Sequence, residues 1–261
     1  MENQEKQRKA LQDQLDAQKS HKARNLLGQF STPYPLAADI MEYMKSLIGS
    51  NNVSLIEPAF GTGVFYSAYK EVFKGSQSRV LGIEIDPHYY NPANTIWKDY
   101  NIELRCSDFF SQEPDGLFDI LVTNPPYIRH HYINNDTKVR LQNKVLRTTG
   151  IKISGLAGLY CYFIMLSSSW LRSGGYSCWL VPSEFMDVNY GEAIKQYLIQ
   201  NVELVRIHRF KAEDNPFPDA LVSSCIVVFR NNKPTNDKTI TFSIEGTINA
   251  PESIKIIERK Q

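Results

Sequence analysis

Cysteine is scarce: Cys106, Cys161, Cys178 and Cys225 are widely separated and form no CxxC pair. That spacing argues against a disulfide framework and reads as buried thiols rather than metal ligands. The five histidines also lack ligand spacing, and adjacent His130 and His131 point apart on most backbones, so no metal site is expected. No apolar run approaches the ~18 residues that span a bilayer. The most apolar stretch, 159–171, is interrupted by Ser167, Ser168 and Ser169, and the opening MENQEKQRKA has no apolar core like that of a signal peptide. No membrane association and a cytoplasmic location are therefore expected. An excess of one charge sign is also missing: 29 Lys and Arg stand against 28 Asp and Glu, for a net +1. A protein that coats nucleic acid non-specifically is usually far more basic, so any basic surface here must be local. Repeats and low-complexity segments are absent. So is a GxGxxG turn, which argues against a ligand carrying a pyrophosphate.

What is present is an ordinary globular balance, with 42% hydrophobic and 22% charged residues. Residues 1–27 are polar and free of Gly and Pro, with Leu11 and Leu15 at helical spacing and Leu26 and Leu27 behind them. This predicts a helix that packs a thin stripe on the domain behind it; a partner-binding or DNA-side arm is the alternative reading. The loop GQFSTPYP follows, and 36–48 has helical spacing. Beyond it, strands expected at 53–57, 80–85, 102–106, 118–123, 175–181, 202–210 and 221–229 alternate with helices at 64–73, 88–100 and 156–171. Alternation of this kind predicts an α/β fold with a mostly parallel, seven-stranded sheet covered on both faces. Three regions follow: 1–27 as an N-terminal helical segment, 28–232 as the main domain, and 233–261 as a C-terminal extension or the start of a further domain.

In open α/β sheets ligands bind beyond the carboxyl ends of the strands. The first strand is followed by Glu57-Pro58-Ala59-Phe60-Gly61-Thr62-Gly63, where glycine allows a tight turn and close approach of a ligand. The second ends in Glu84-Ile85-Asp86-Pro87. Glu84 suits the two hydroxyls of a ribose, and Asp86 before Pro87 suits a helix N-cap. The third is followed by Asp108-Phe109, an acid for the amino group of an adenine and a ring to pack on it, although singly these would more often be a turn acid and a core aromatic. The fourth ends in Asn124-Pro125-Pro126-Tyr127. Successive prolines fix two φ angles and remove two donors while their carbonyls remain acceptors.

These segments, in this order, resemble the gamma-class adenine-N6 DNA methyltransferases of restriction–modification systems. FSTPYP resembles the N-terminal cofactor motif, EPAFGTGVF the Gly-rich motif, GIEIDP the ribose motif, CSDFF the adenine motif and NPPY the catalytic motif; GGYSCWLVPSEF and NPFPDALVSSCIVVF resemble later segments. The resemblance implies a Rossmann-like class I methyltransferase fold with S-adenosylmethionine as cofactor. Thr32, Glu57, Pro58, Ala59, Gly61, Gly63, Glu84, Ile85, Asp108, Phe109, Asn124 and Pro126 would hold it. Asn124 and Pro125, within the catalytic set Asn124 to Tyr127, would accept the hydrogens of the adenine amine. The base would be flipped out of the duplex and stacked between Tyr127 and Phe217. An NPPY enzyme that methylates RNA or a protein glutamine is the alternative.

DNA is therefore the expected partner. Residues 129–152 are locally basic, and Arg129, Lys138, Arg140 and Lys144 are the expected phosphate contacts. The family's target-recognition domain has no counterpart in these segments, so a separate or fused recognition domain is expected to supply sequence specificity; the alternative expectation is a catalytic fragment active only with a recognition subunit.

Overall fold

The computed structural model describes residues 2–211 and 223–259. The expected N-terminal helix is two helices, α1 (Glu2–Ala17) and α2 (His21–Leu26), split where the Ser20 side chain caps the second by accepting from Ala23 N–H. Next come α3 (Tyr34–Ile48), β1 (Leu55–Glu57), α4 (Val64–Val72), β2 (Val80–Glu84), α5 (Pro87–Trp97), β3 (Glu103–Cys106) and β4 (Phe118–Thr123). Their ends follow local chemistry. Pro35 stands in the first turn of α3, Gly49 closes it at φ 67°, and Asp86 caps α5 by accepting from His88 N–H.

After β4 lie α6 (Asn135–Thr149), α7 (Leu159–Leu166), β5 (Leu171–Pro182), α8 (Glu192–Gln200), β6 (Glu203–Arg209), β7 (Ser224–Arg230), β8 (Thr239–Gly246) and β9 (Pro251–Glu258). The apolar helix expected over 156–171 is shorter. Ser167 and Ser169 donate to the Ile164 and Leu166 carbonyls, and the last turn tightens into a 3-10 turn before β5 begins at Leu171. β5 begins earlier than the strand expected at 175–181, and Gly174 and Gly175 lie inside it, at an irregularity where the pairing with β4 jumps from Phe118↔Leu171 to Ile120↔Tyr176.

Among the described residues the sheet has nine strands rather than the expected seven, in the order β3-β2-β1-β4-β5-β7-β6-β8-β9. The two additional strands come from the stretch after residue 232: β8 pairs parallel with β6, and β9 pairs antiparallel with β8 at the edge. Pairing is parallel from β3 through to β5 and antiparallel on both sides of β7. One buried cluster joins the sheet to α6, α7 and α8, and the other joins it to α3, α4 and α5. β1 and β4 are wholly buried between these layers, as a central parallel strand requires. From β1 the chain moves outward to β2 and β3, then returns to β4 on the other side of β1. That reversal is the switch point at which open α/β sheets form a crevice.

Candidate active site

A cavity of about 600 Å³ opens at this switch point, a size that suits a nucleoside-bearing ligand. Its floor is the turn after β1. Phe60 N–H donates to the Ile83 carbonyl (2.9 Å) and Gly61 N–H to Glu84 Oε2 (2.7 Å), so the turn is tied to the end of β2. Gly61 takes φ 56° and Gly63 φ 86°, conformations that only glycine adopts cheaply. The two differ in role. Gly61 lines the cavity, whereas Gly63 lies behind it, where a Cβ would come within 2.4 Å of the Phe60 ring.

Eleven of the twelve residues expected around the cofactor line this one cavity, Gly63 being the exception. Glu57 is 2% exposed, and its Oε2 has no hydrogen-bond partner among the described residues. Burial pushes its carboxyl well above the usual range, against the pull of the Arg8 guanidinium, and Glu84 adds to the rise. Glu84 is also raised by burial. Its two oxygens accept from the backbone N–H groups of Gly61 and Asp86, which fixes the side chain while leaving further lone pairs. Burial pushes Asp86 upward, but bonds from Lys19, Gln29 and the His88 N–H hold its carboxyl below the ordinary value. At the far end, Asp108 Oδ1 caps a 3-10 turn at Phe110 N–H (2.9 Å), Oδ2 meets Arg140 at 3.4 Å, and the Phe109 ring stacks on Phe163 (5.2 Å between centroids).

Asn124 ends β4. Its Nδ2 donates to the Phe30 carbonyl (2.9 Å) and to Thr32 Oγ1 (3.1 Å). Both amide hydrogens are thus taken by the loop before α3, and Oδ1 is left buried without a partner. The loop is drawn close by Gly28, whose carbonyl accepts from Tyr127 N–H (3.2 Å) and whose φ is 61°. A Cβ at residue 28 would lie 2.2 Å from the Tyr127 nitrogen, so no other residue fits there.

Several expected residues stand elsewhere. Pro125 is buried and outside the cavity lining. The Tyr127 ring is also buried, its hydroxyl donates to the Leu180 carbonyl (3.1 Å), and it packs against Phe30 rather than lining the cavity. Stacking on a base would require that ring to turn. Phe217 lies outside the described residues. Among the basic residues, Arg129 is exposed and Lys138 half-buried. Arg140 is bonded to Asp108, and Lys144 to the Phe110 carbonyl and Glu113, so these two tie α6 to the loop after β3.

α1 also contributes to the cavity, which its polar sequence does not suggest. Arg8, 4% exposed, donates through Nη1 to Thr62 Oγ1 (2.8 Å), and Thr62 donates to Gln12 Oε1 (2.6 Å); both α1 residues line the cavity. Arg8, Gln12 and Leu15 stand at i, i+4 and i+7, so the face was present in the spacing but was carried by polar residues. Of the leucines read as a stripe, Leu15 is buried, while Leu26 and Leu27 are exposed. Among the described residues no group of His, Cys, Asp and Glu could hold a metal ion, and no helix is long and apolar enough to cross a membrane.

Comparison with known proteins places this geometry. The type II methyltransferase M.AccI of Acinetobacter calcoaceticus is 28% identical over 215 residues, covering 82% of this chain and 38% of the relative. M.XamI of Xanthomonas campestris pv. amaranthicola is 26% identical, covering 84% and 42%. The chain thus spans about two fifths of the length of these relatives. Among solved structures, a Listeria monocytogenes protein described as a class I S-adenosylmethionine-dependent methyltransferase superposes with a TM-score of 0.70 at 18% identity, covering 92% of this chain and 73% of that one. The type IIG restriction endonuclease BpuSI superposes with a TM-score of 0.67 at 16% identity, covering 88% and 31%. These likenesses establish a class I methyltransferase fold. The family model described as Eco57I restriction-modification methylase matches residues 45–217, a span that holds the Gly-rich turn, the acids Glu57, Glu84 and Asp108 and the NPPY loop, and the chain belongs to that family.

Proposed function

We propose that this chain is the methyl-transferring part of a site-specific DNA methyltransferase of a restriction–modification system, acting on the N6 amine of adenine with S-adenosylmethionine as donor. The observation that carries the reading is Asn124: both its amide hydrogens are held by Phe30 and Thr32, and its oxygen is left buried and unpaired on the cavity that holds Glu57, Glu84 and Asp108. A buried acceptor without a partner costs about 1–3 kcal/mol, so it implies a donor that arrives with a ligand.

The cavity suits the cofactor. Glu57, with its orphaned oxygen, suits the ammonium of the methionine end, Glu84 the ribose hydroxyls, and Asp108 with Phe109 the adenine. When bound, S-adenosylmethionine supplies an activated methyl group on a sulfonium. The work left to the protein is to orient a poor nucleophile whose lone pair is delocalised into the purine ring. Asn124 Oδ1 accepts one amine hydrogen, and the resemblance of NPPY gives the other to the carbonyl of Pro125, a residue outside the cavity lining itself; together they turn the nitrogen lone pair out of the ring plane. That is catalysis by position and by preorganised acceptors, without a covalent intermediate. The rigid pair Pro125-Pro126 keeps these acceptors from relaxing. The Tyr127 hydroxyl bond to the Leu180 carbonyl anchors the loop to β5.

Sequence readout belongs to a recognition domain beyond this one, in the same polypeptide or in a partner subunit. Arg129 and Lys138 supply phosphate contacts, which alone give weak, salt-sensitive and sequence-independent binding. The test is incubation with labelled S-adenosylmethionine and, in parallel, DNA, RNA and protein, followed by nucleoside and amino-acid analysis. Slow, salt-sensitive label in N6-methyladenine of DNA is expected from the chain alone. Label confined to RNA, to protein or to another base would overturn the reading, and rapid methylation of one defined sequence would overturn the need for a further domain.

A further inference from the structure

Arg8 is a charged side chain, almost fully buried, brought to the cavity by α1 and outside the match of the family model. Glu5 takes its Nε–H (2.8 Å) and one hydrogen of Nη2 (2.7 Å), and Thr62 Oγ1 takes one hydrogen of Nη1 (2.8 Å). A guanidinium has five N–H donors. One hydrogen on each of Nη1 and Nη2 therefore stays open among the described residues, and guanidinium N–H groups are strong donors to the oxygens of a carboxylate. The cation is also held in place. Glu5 clamps it from behind, Thr62 fixes it to the turn that follows Glu57, and Gln12 fixes Thr62. Glu57, an acid with an unpaired oxygen, lines the same cavity. A buried cation and a buried anion that both line one cavity without bonding each other are arranged for a ligand that carries both charges.

We propose that Arg8 binds the carboxylate of the methionine end of S-adenosylmethionine while Glu57 binds its ammonium, so that the zwitterion is read by two elements, α1 and β1. The inference rests on the proposed function, since it takes S-adenosylmethionine as the ligand. It gives α1 a role that its polar sequence conceals: the helix carries half of a charge-pair subsite and is part of the binding machinery.

The experiment is calorimetric titration of the whole chain and of Arg8→Gln with S-adenosylmethionine and with its decarboxylated analogue, which keeps the sulfonium, nucleoside and ammonium but lacks the carboxylate. The unmodified chain is expected to prefer S-adenosylmethionine by about 10- to 100-fold, the range for a charge-assisted hydrogen bond. Arg8→Gln should lose most of that preference while binding the analogue within about twofold of the unmodified chain. Arg8→Lys, which keeps the charge but not the fork, should retain part of the preference and supplies the same ratio if Arg8→Gln does not fold. A preference that survives substitution of Arg8, or an equal loss for both ligands, would overturn the proposal and leave Arg8 as a clamp between α1 and the Gly-rich turn. An unmodified chain that bound neither ligand would overturn the proposed function, and this assignment with it.

Discussion

β1, β2, β3 and β4 end at Glu57, at Glu84, just before Asp108 and just before Asn124, and these polar groups face a common cavity. β6 and β8 end at the same edge of the sheet, but there Lys211 pairs with Glu245 and Glu252, charge meeting charge on the surface. The parallel half leaves Glu57 Oε2 and Asn124 Oδ1 unsatisfied on that cavity, while the buried atoms left without a partner in the other half, Arg206 Nη2, His208 Nε2 and Ser224 Oγ, lie outside it. Burial differs in the same direction: β1 and β4 are covered throughout, whereas β9 is exposed along nearly all its length. The difference teaches where to look for chemistry. Charge at a strand end is ordinary, but an acceptor kept dry and unpartnered is costly and persists where something else supplies the partner.

The sharpest way to break this comparison is to remove an acceptor from the parallel half. Asn124→Ala should reduce methyl transfer by about 10²–10³-fold, the usual loss of one preorganised group, with cofactor affinity kept within a few fold. Single-turnover transfer beside calorimetric titration checks both, and near-normal turnover in the variant would sink the orienting role.

A second test uses one buried titratable group from each half. Burial beside Glu84, against the pull of Arg8, raises Glu57, so the folded state binds more protons than the unfolded chain once pH passes the ordinary carboxylate value. The stability that this group supplies is complete below that value and is lost as pH rises through the folded one. His208 behaves oppositely. Burial first, then the neighbouring Arg206, pushes it from 6.5 down to about 4, against the Gly246 backbone and Asp39. Its contribution is complete above 6.5 and is lost as pH falls towards about 4. Glu57→Gln should therefore raise the melting temperature of the ligand-free chain at neutral pH, by ~2–4 °C for each kcal/mol relieved, and flatten the loss on the alkaline side. His208→Asn should flatten only the acid side. Melting curves across pH decide it, and a Glu57→Gln profile identical to that of the unmodified chain would remove Glu57 from the account.

The smallest effect belongs to β9. Ile256 is 65% exposed, so Ile256→Lys should shift stability by no more than ~0.5 kcal/mol and leave cofactor affinity unchanged. A large loss in denaturant unfolding would mean that the strand is covered.

The gathering of the candidate site's residues on one cavity was legible in the sequence where one residue type at one strand end has few other uses. NPPY, the Gly turn and the two strand-end acids are short, local signals, and the apolar strands that place them are equally local. The remainder depended on contacts across the chain. Arg8 and Gln12 sit on a helix with almost no apolar stripe, and their role appears only when Thr62, 54 and 50 residues away in sequence, packs against them. Tyr127 was read as a stacking ring from its motif, but a buried carbonyl on β5 claims its hydroxyl. β8 did carry a period-2 signal in Ile240, Phe242 and Ile244, and the polar run before it hid that this alternation rejoins the sheet. Part of α8 was visible in the same way, with Ala193, Ile194, Tyr197 and Leu198 buried on one face.

The backbone contact at Gly28 has a consequence for measurement. The Tyr127 amide proton is donated to a carbonyl 99 positions earlier in the chain, and that carbonyl belongs to the segment that also holds Asn124 in register. Exchange of this proton with solvent deuterium requires the two backbones to part, so its rate reports how often the N-terminal segment lifts away from the NPPY loop. A single amide thus serves as a gauge of the ordered site, independent of turnover and readable before any substrate is known.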